Sequence, residues 1–179
     1  MICEKEKCTG CYACYNICPK DAIEMKEDEY GNIYPQIDES KCIKCGLCKK
    51  ICKSKDNMNF NSIKKAYAVW NKDNDIRRTS TSGGAATTLY NYFIENNGIG
   101  YGVNNYEDNK VAFYRICNTE DISRVRGSKY VHAYVENSYR EAETDLKDGK
   151  KVIFIGTPCQ VAGLKAYLRK EYENLYIYM

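Results

Sequence analysis

The stretch Cys8-Thr9-Gly10-Cys11-Tyr12-Ala13-Cys14-Tyr15-Asn16-Ile17-Cys18-Pro19 decides the fold of the N-terminal part of the chain. It has the spacing C-x-x-C-x-x-C-x-x-x-C-P, and a second run repeats that spacing at Cys42, Cys45, Cys48 and Cys52. Three cysteines separated by two residues each can surround one corner of a cubane, while the fourth serves a neighbouring cluster. The repeat therefore predicts a ferredoxin-like module with two [4Fe-4S] clusters.

The two runs are expected to exchange their fourth ligands. Each fourth cysteine is predicted to begin a helix that leads away from its own run, so it reaches the other cluster. Clusters with interleaved ligands lie within electron-tunnelling reach, which predicts a path for electrons. We assign cluster I to Cys8, Cys11, Cys14 and Cys52, and cluster II to Cys42, Cys45, Cys48 and Cys18.

Zinc and disulfide bonds are the alternative uses of such cysteines. A zinc site would need two C-x-x-C pairs, which leaves the third cysteine of each run unexplained. Disulfide frameworks are typical of exported chains, and residues 1–6 lack the apolar core of a signal peptide. We therefore expect a cytoplasmic protein. Cys3 and Cys117 lie outside the runs and are expected to bind no metal, Cys117 as a buried structural thiol.

Composition excludes two classes of partner. The 179 residues carry 27 basic and 24 acidic side chains, a net charge of +3. This balance gives no electrostatic argument for nucleic acid binding. No apolar run approaches the roughly 20 residues of a membrane span. We expect neither nucleic acid nor a membrane-spanning segment.

The pattern after the cysteines changes to alternating helices and strands. We divide the chain into a two-cluster domain (residues 1–56), a linker (57–80) that contains a strand at 64–70, and an α/β domain (81–179). Strands are predicted at 99–105, 111–117, 151–155 and 174–178. The last strand would leave an open edge, so we expect further structure beyond it.

A hydroxyl- and glycine-rich segment precedes the first long helix of the α/β part. Arg77-Arg78-Thr79-Ser80-Thr81-Ser82-Gly83-Gly84-Ala85 leads directly into that helix. Free amides at the helix start, with hydroxyls and arginines nearby, would hold a phosphate or another anionic group. The alternative is an ordinary serine cap on an amphipathic helix. The residues alone leave both interpretations open.

A second candidate segment is Gly156-Thr157-Pro158-Cys159-Gln160, between a strand and a helix. Thr157 suits the N-cap and Pro158 the first helical position, which places Cys159 in the first turn, where the helix dipole favours a thiolate. Cys159 is the candidate catalytic residue, since it would contact a cofactor ring or react directly; an inert buried thiol is the alternative.

Two basic side chains belong to the same part of the chain. Lys129 would anchor a phosphate or carboxylate, or would be a solvated charge. His132 is the single histidine, and a structural histidine is favoured over a proton donor.

Four ordered motifs now carry a resemblance: the cysteine runs, R-R-T-S-T-S-G-G-A, R-G-S-K-Y-V and G-T-P-C-Q-V-A-G-L. The chain resembles the coenzyme F420 hydrogenase/dehydrogenase beta-subunit family, whose members are iron-sulfur flavoproteins. The resemblance implies an α+β ferredoxin-like two-cluster module followed by a partial α/β flavin-binding domain. It implies FAD or FMN as cofactor, coenzyme F420 as a substrate and soluble hydride carrier, and a redox partner protein or subunit. By resemblance, the residues around the flavin would be Ser82, Gly83, Gly84, Lys129, Thr157, Pro158, Cys159 and Gln160.

Two departures from the family pattern stand out. Members are usually about twice this length, so the chain is expected to be truncated at its C-terminus. Lys53 replaces the usual proline after the last cluster cysteine. The predicted function is an oxidoreductase subunit in which a flavin exchanges hydride with a soluble carrier and passes single electrons to the clusters. The alternatives are a ferredoxin-type electron relay without catalysis, or a fragment that lacks a complete flavin site.

Overall fold

The computed structural model describes residues 2–55 and 62–179. Short helices around a β-hairpin form the N-terminal part, and a four-stranded mixed sheet between helices forms the rest. No helix in these two ranges is long and apolar enough to cross a membrane. The elements are α1 (Ala13–Ile17), β1 (Ile23–Glu27), β2 (Ile33–Ile37), α2 (Leu47–Lys50), α3 (Asn74–Arg78), α4 (Ala85–Glu95), β3 (Ile99–Asn105), β4 (Val111–Ile116), α5 (Ile122–Val125), α6 (Ser138–Lys147), β5 (Val152–Ile155), α7 (Pro158–Leu168) and β6 (Leu175–Tyr178).

The N-terminal hairpin covers the cysteine runs. β1 and β2 pair antiparallel, with Ile23 opposite Ile37. Ile23 is buried and packs against Cys14, with Cys48 and other partly buried cysteines around it. The apolar hairpin face therefore shields the sulfur atoms from water.

The expectation that each fourth cysteine begins a helix is wrong for Cys18, whereas Cys52 directly precedes a short 3-10 helix at Lys53–Lys55. α1 contains Cys14 and α2 contains Cys48, and both helices end before the fourth cysteine. Cys18 is extended, with φ −69° and ψ 116°. It precedes Pro19, and proline disfavours the helical conformation in the residue before it. The third cysteine of each run is therefore the helical one.

The sheet has the strand order β4-β3-β5-β6. β3 and β4 form an antiparallel hairpin, whereas β3, β5 and β6 are mutually parallel. The four predicted strands are thus confirmed. The carboxyl ends of the three parallel strands lie at one side of the sheet, which we call the carboxyl edge. Ligands of α/β proteins bind at such edges.

Helices cover both faces of the sheet because side chains along β5 alternate. Val152 and Phe154 pack with buried side chains of α6 and α7. Ile153 packs with buried side chains of α4 and α5. A short apolar run without polar alternation is typical of a strand buried on both faces.

Two glycines of β3 let α4 approach the sheet. A Cβ at Gly102 would lie 2.2 Å from the hydroxyl oxygen of Tyr90, and one at Gly100 would lie 2.8 Å from the same ring. The Tyr90 hydroxyl donates to the Tyr101 carbonyl over 2.9 Å. The group that approaches the strand at these glycines is therefore a tyrosine ring.

A buried carboxylate ties α6 to the sheet. Asp145 is 6% exposed and accepts hydrogen bonds from the Tyr101 hydroxyl (2.6 Å) and Arg115 Nε (2.7 Å). Burial acts to raise the pKa of Asp145, but the bonds from Arg115 and Tyr101 outweigh it and hold this pKa below its ordinary value. The carboxylate is therefore charged and paired.

The segment before α4 differs from its prediction. Residues 64–70 form no strand and are exposed, and residues 74–78 of the predicted linker form α3. The Asp73 side chain caps α3 by accepting from Asp75 N and Ile76 N. Residues 57–61 of the predicted linker lie outside the described residues.

One local prediction about a helix start is confirmed and one about a thiol is wrong. α7 begins at Pro158, as predicted, and ends at Leu168. The buried thiol expected at position 117 is not found. Cys117 is exposed, because β4 ends one residue before it.

Candidate iron-sulfur centre

The two cysteine runs adopt the same backbone conformation. Positive φ angles occur at Gly10 (58°) and Tyr12 (63°) in the first run, and at Lys44 (53°) and Gly46 (76°) in the second. Each pair flanks the second cysteine of its run. Left-handed residues next to right-handed ones turn backbone N–H groups toward one concavity, which binds anions including iron-sulfur clusters. The shared conformation fits one cluster in each half of the repeat.

The cysteines predicted for cluster I lie together. Burial is the main cause that raises the pKa of Cys14, and the thiolates of Cys11, Cys8 and Cys52 raise it further. Burial is also the main cause that raises the pKa of Cys11, and Cys52 raises that pKa further. The second run thus contributes its last cysteine to the first group, which is the interleaving that the spacing predicts.

The cysteines predicted for cluster II line one cavity. Cys18, Cys42, Cys45 and Cys48 all contribute to its walls. Its other walls are mostly apolar, with Ile23, Ile37 and Leu47 among them. A cavity with four thiols and apolar walls fits a cluster that must be kept from water. The backbone N–H of Ala22 donates to Cys18 Sγ over 3.3 Å.

The thiols of cluster I need a cation to become thiolates at neutral pH. Burial raises the pKa of Cys8, Cys11 and Cys14 above the ordinary value of 9.0. Thiolates are the form that binds metals, so cluster binding would release protons from these residues. Iron would supply the positive charge that this buried site lacks.

The distances between the sulfur ligands help to distinguish a single metal ion from an iron-sulfur cluster. Within residues 2–55 and 62–179, no three histidine, cysteine or acidic side chains converge closely enough to hold one metal ion. A single zinc ion binds its sulfur ligands at about 2.3 Å from one point. A cubane instead attaches each thiolate to a different iron, so its four sulfurs stand further apart.

Cys3 lies beside cluster I, although the sequence pattern indicates no ligand role for it. It lines one cavity with Cys8. Burial is the main cause that raises the pKa of Cys3 to about 11, and Cys8 and Cys52 lie close enough for both to raise it further. Five thiols, not four, therefore lie at this site. The spacing rule missed Cys3 because it precedes the C-x-x-C run by five residues.

Helix α6 connects the cysteine loops to the sheet. The Tyr139 hydroxyl lies 2.8 Å from the Cys11 carbonyl oxygen and 2.7 Å from that of Gln160, and it donates to both. Tyr139 is fully buried, so this shared hydrogen bond links the loop of cluster I to the first turn of α7 without water. No local sequence signal distinguishes this tyrosine from the other sixteen.

The residue after Tyr139 binds the other side of the module. Arg140 Nε donates to the Asn16 carbonyl (2.7 Å), and Nη2 donates to the Tyr15 and Cys18 carbonyls (3.2 and 3.1 Å). These carbonyls lie at the C-terminal end of α1, where a helix leaves its acceptors unpaired. Consecutive residues of α6 thus contact one predicted ligand of each cluster, Cys11 and Cys18.

Helix α7 packs directly on the loop of cluster I. A Cβ at Gly163 would lie 2.7 Å from the Cys11 carbonyl oxygen and 2.8 Å from the Tyr139 hydroxyl. Only glycine allows this approach without movement. The motif that contains Gly163 also contains the candidate pocket residues 157–160 at the start of the same helix.

The first turn of α7 forms as the sequence predicts. Thr157 is the N-cap and Pro158 the first helical residue, both exposed. Gln160 is buried, and its side-chain oxygen accepts from the Thr157 N–H over 2.9 Å. Cys159 is partly buried, 3.2 Å from the Thr157 hydroxyl, and it acts on the pKa of Cys11. Cys159 thus lies near cluster I, at the carboxyl edge of the sheet.

The start of α4 is free of a side-chain cap. Gly84 is the N-cap residue, with φ 80° and no side-chain hydrogen bond to the helix, so the serine-cap interpretation is wrong. Ser82 is exposed. A Cβ at Gly83 would lie 2.3 Å from the Val69 carbonyl oxygen, and Asn71 N donates to the Gly83 carbonyl over 2.7 Å. Packing against residues 69–71 therefore accounts for glycine at position 83.

Two of the four motifs meet beside this helix start. Ser128 N donates to the Thr81 hydroxyl over 2.9 Å, and Arg126 donates to the Thr79 hydroxyl over 2.7 Å. Lys129 is partly buried, which lowers its pKa, and its Nζ donates to the Arg126 carbonyl over 3.0 Å. A lysine held by one carbonyl retains two further donors for an anion.

His132 contacts the module rather than the helix starts. A Cβ at Gly10 would lie 2.3 Å from the His132 ring, so the ring packs directly on the Gly10 backbone. Burial lowers the pKa of His132, and the contacts with Gly10 and Glu27 oppose this effect only in part. The structural interpretation of this histidine agrees with these contacts.

The predicted flavin residues form two groups at the carboxyl edge. α7 begins where β5 ends, and α4 runs back along the sheet before β3, so both helix starts lie toward this edge. Among the described residues, no hydrogen bond joins residues 157–160 to Ser82, Gly84 or Lys129. The free helix start, the lysine and the half-buried thiol fit an anionic, planar cofactor, although a molecule of its size would have to bridge both groups.

These features define a class of protein: an iron-sulfur dicluster domain followed by an α/β region with a mixed sheet. The family described as "4Fe-4S dicluster domain" matches residues 7–55. The family described as "Coenzyme F420 hydrogenase/dehydrogenase, beta subunit N-term" matches residues 66–139. The resemblance to the coenzyme F420 hydrogenase/dehydrogenase beta-subunit family that the motifs predict is thus confirmed by the match over residues 66–139.

Some relatives match almost the whole chain, whereas others match only its cysteine runs. It is 25% identical over 171 residues, 89% of its length, to a subunit of the F(420)H(2) dehydrogenase of Methanosarcina mazei. It is 28% identical over 163 residues to coenzyme F420-dependent sulfite reductase of Methanocaldococcus jannaschii. Over 51 residues it is 43% identical to pyruvate synthase subunit PorD of the same organism. The chain spans 48%, 24% and 55% of these proteins, respectively.

Proposed function

We propose that the chain is the electron-transfer part of an oxidoreductase, with two [4Fe-4S] clusters on the eight assigned cysteines. The interleaving of the runs supports this assignment. Cys52 lies with Cys11 and Cys14, and Cys18 lies in the cavity of the second run. Each group thus holds four thiols only because it takes one from the other run. Such interleaving brings the two clusters close together.

The proposal extends to a flavin, FAD or FMN, at the carboxyl edge of the sheet. Its phosphate or polar edge would be held by the free amides at the start of α4 and by Lys129, with Ser82, Gly83 and Gly84 alongside. Thr157, Pro158, Cys159 and Gln160 would border its ring. When bound, a flavin supplies the conversion between a hydride and single electrons.

One contact carries the link between the two sites. The Tyr139 hydroxyl bonds to carbonyls of Cys11 and Gln160, so the loop of cluster I and the start of α7 are held together. Cys159 lies in that same helical turn. A cofactor against this turn would lie next to cluster I, in a dry and polarised environment suited to electron transfer.

The substrate and partner follow from the relatives. Two of them bear coenzyme F420 in their names, so we propose coenzyme F420 or a similar soluble hydride carrier as substrate. One is a named subunit of a dehydrogenase, so we propose that this chain also works with a redox partner subunit. The division at residues 1–56, 57–80 and 81–179 remains a prediction.

The test is the cofactor content of protein purified without oxygen. About eight iron and eight sulfide atoms per chain are expected for two clusters. Addition of FAD or FMN should give a bound flavin, and F420H2 rather than NADH should reduce the clusters, measured by electron paramagnetic resonance. Cys117→Ala is the matched control, because this exposed cysteine belongs to neither group. Clearly fewer than about eight irons would contradict the two-cluster proposal.

A relay without its own catalysis is the second candidate. Residues 69–71 occupy the space beside Gly83, and the chain spans about half of the dehydrogenase subunit it resembles. A relay would hold both clusters but bind no flavin. Dithionite-reduced protein would then still pass electrons to an added acceptor, whereas F420H2 would leave the clusters oxidised.

A further inference from the structure

We propose that Cys3 is a reserve ligand of cluster I that can replace Cys8 on its iron. This inference rests on the proposed cluster function. Cys3 lies outside both the repeated cysteine spacing and the matched range that begins at residue 7. Its position is nevertheless that of a ligand.

The packing of the residue before Cys3 holds this cysteine beside the cysteine groups. Ile2 is 5% exposed and packs in one apolar cluster with Cys14, Cys48 and Cys52. The chain at residue 3 therefore passes directly along the cysteine groups. Cys3 and Cys8 line the same cavity. Besides burial, Cys8 and Cys52 also lie close enough to raise the pKa of Cys3.

The pseudo-repeat provides an independent argument. Cys3 precedes Cys8 by five residues, and Ile37 precedes Cys42 by five residues. Ile37 and the four cysteines of cluster II line the same cavity. The equivalent position in the first half holds Cys3. One position of the repeat thus faces its cluster in both halves, and only the first half places a thiol there.

The exchange would involve no change of oxidation state. The Cys3 thiol loses its proton as its sulfur bonds to iron, and the departing ligand's iron-sulfur bond breaks. If Cys8 is the departing group, its thiolate accepts that proton. If Cys8 has been replaced by alanine, Cys3 fills the iron position left without sulfur. Cys8 is the partner of choice because only the turn at Lys5–Lys7 separates it from Cys3, so no helix must move.

The experiment compares iron and sulfide content, and the electron paramagnetic resonance of the reduced clusters, across a set of variants made without oxygen. Wild type and Cys3→Ala should each hold about eight irons. Cys8→Ala should retain about eight, and the double variant C3A/C8A should fall to about four. Cys42→Ala is the matched control, since its half of the repeat has no reserve thiol, and it should hold about four.

Each outcome bears on the inference. If Cys8→Ala falls to about four irons like Cys42→Ala, the reserve ligand is overturned while the two-cluster function stands. If wild type itself lacks about eight irons, the proposed function fails first. The variant I37C/C42A tests the equivalence of the two positions without loss of a native ligand of cluster I. Recovery of the second cluster supports the inference, and no recovery removes the argument from the repeat.

Discussion

The hydroxyl of Tyr139 lies 2.8 Å from the carbonyl oxygen of Cys11, across 128 residues of sequence. The same hydroxyl bonds to Gln160 in the first turn of α7. A single buried side chain thus joins the loop of cluster I, helix α6 and the start of α7. The predictions below concern this junction and the sheet behind it.

Tyr139→Phe should destabilise the protein by about 0.5–1.5 kcal/mol, because it removes the buried hydrogen bond that one hydroxyl shares between two carbonyls. In a chain of this size, each kcal/mol lowers Tm by about 2–4 °C. Thermal unfolding followed by circular dichroism measures this loss. Tyr167→Phe, which removes a bond to the partly exposed Glu143, is the control and should cost less. Equal losses in both variants would contradict a special role for the junction.

Gly163→Ala should separate α7 from the loop of cluster I. The new methyl group would meet the Cys11 backbone at 2.7 Å, and backbone cannot rotate away as a side chain can. Overpacking of this kind costs about 1–3 kcal/mol. Cluster I should become more sensitive to oxygen, measured as loss of absorbance in air. Lys165→Ala, at an exposed position of the same helix, should change neither property.

Asp145→Asn should leave Arg115 and Tyr101 without their charged acceptor. Hydrogen bonds to charged groups contribute about 1.5–3 kcal/mol, and the partial exposure of Arg115 places the expected loss at the lower end. Urea denaturation at neutral pH measures this change. Asp148→Asn, at an exposed site after α6, is the matched control. A loss no larger than that of the control would show that the pair adds nothing.

Gly102→Ala and Tyr90→Phe should interact strongly. The methyl group of the first variant would lie 2.2 Å from the Tyr90 hydroxyl oxygen, which the second variant removes. Gly102→Ala should therefore cost less in the Tyr90→Phe background than in wild type, by about 0.5–3 kcal/mol of coupling. A double-mutant cycle from urea denaturation gives this number. Additive losses would argue against the contact.

His132 should make stability fall as the solution is acidified. Its folded pKa lies below the ordinary value of 6.5, because burial opposes the charged form while Gly10 and Glu27 favour it only in part. The unfolded chain therefore binds more protons between the folded pKa and 6.5, so stability decreases as pH falls through that window. The loss is at most about 1.4 kcal/mol per unit of pKa difference.

The measurement for His132 is Tm between pH 7.5 and 5.5, a range that flanks the ordinary histidine pKa of about 6.5. His132→Asn keeps a polar side chain but does not titrate, so its Tm should vary less with pH than that of wild type. Parallel pH profiles for the two proteins would contradict the assignment. Glu27 is the charged group facing His132, so Glu27→Gln should enlarge the pH effect.

Much of the fold follows from local sequence. The hairpin of β1 and β2, the four strands of the sheet and the first turn of α7 were all predictable, because turn residues, alternation and caps act between near neighbours. The helix expected at the fourth cysteine of the first run does not form, because Pro19 disfavours a helical conformation at Cys18. In the second run, α2 ends before the fourth cysteine although no proline follows it. The strand expected at residues 64–70 failed because alternation is not sufficient where the chain has no neighbouring strand.

Part of the candidate site likewise follows from local sequence, and part depends on the tertiary structure. The repeated cysteine spacing determined by itself that two groups of four thiols could form, because thiols a few residues apart can converge on one cluster. Only the tertiary structure placed Cys3 beside Cys8, Val69 against Gly83 and Tyr139 between Cys11 and Gln160. These contacts join residues distant in sequence, and they depend on how helices and sheet pack, which no local pattern encodes.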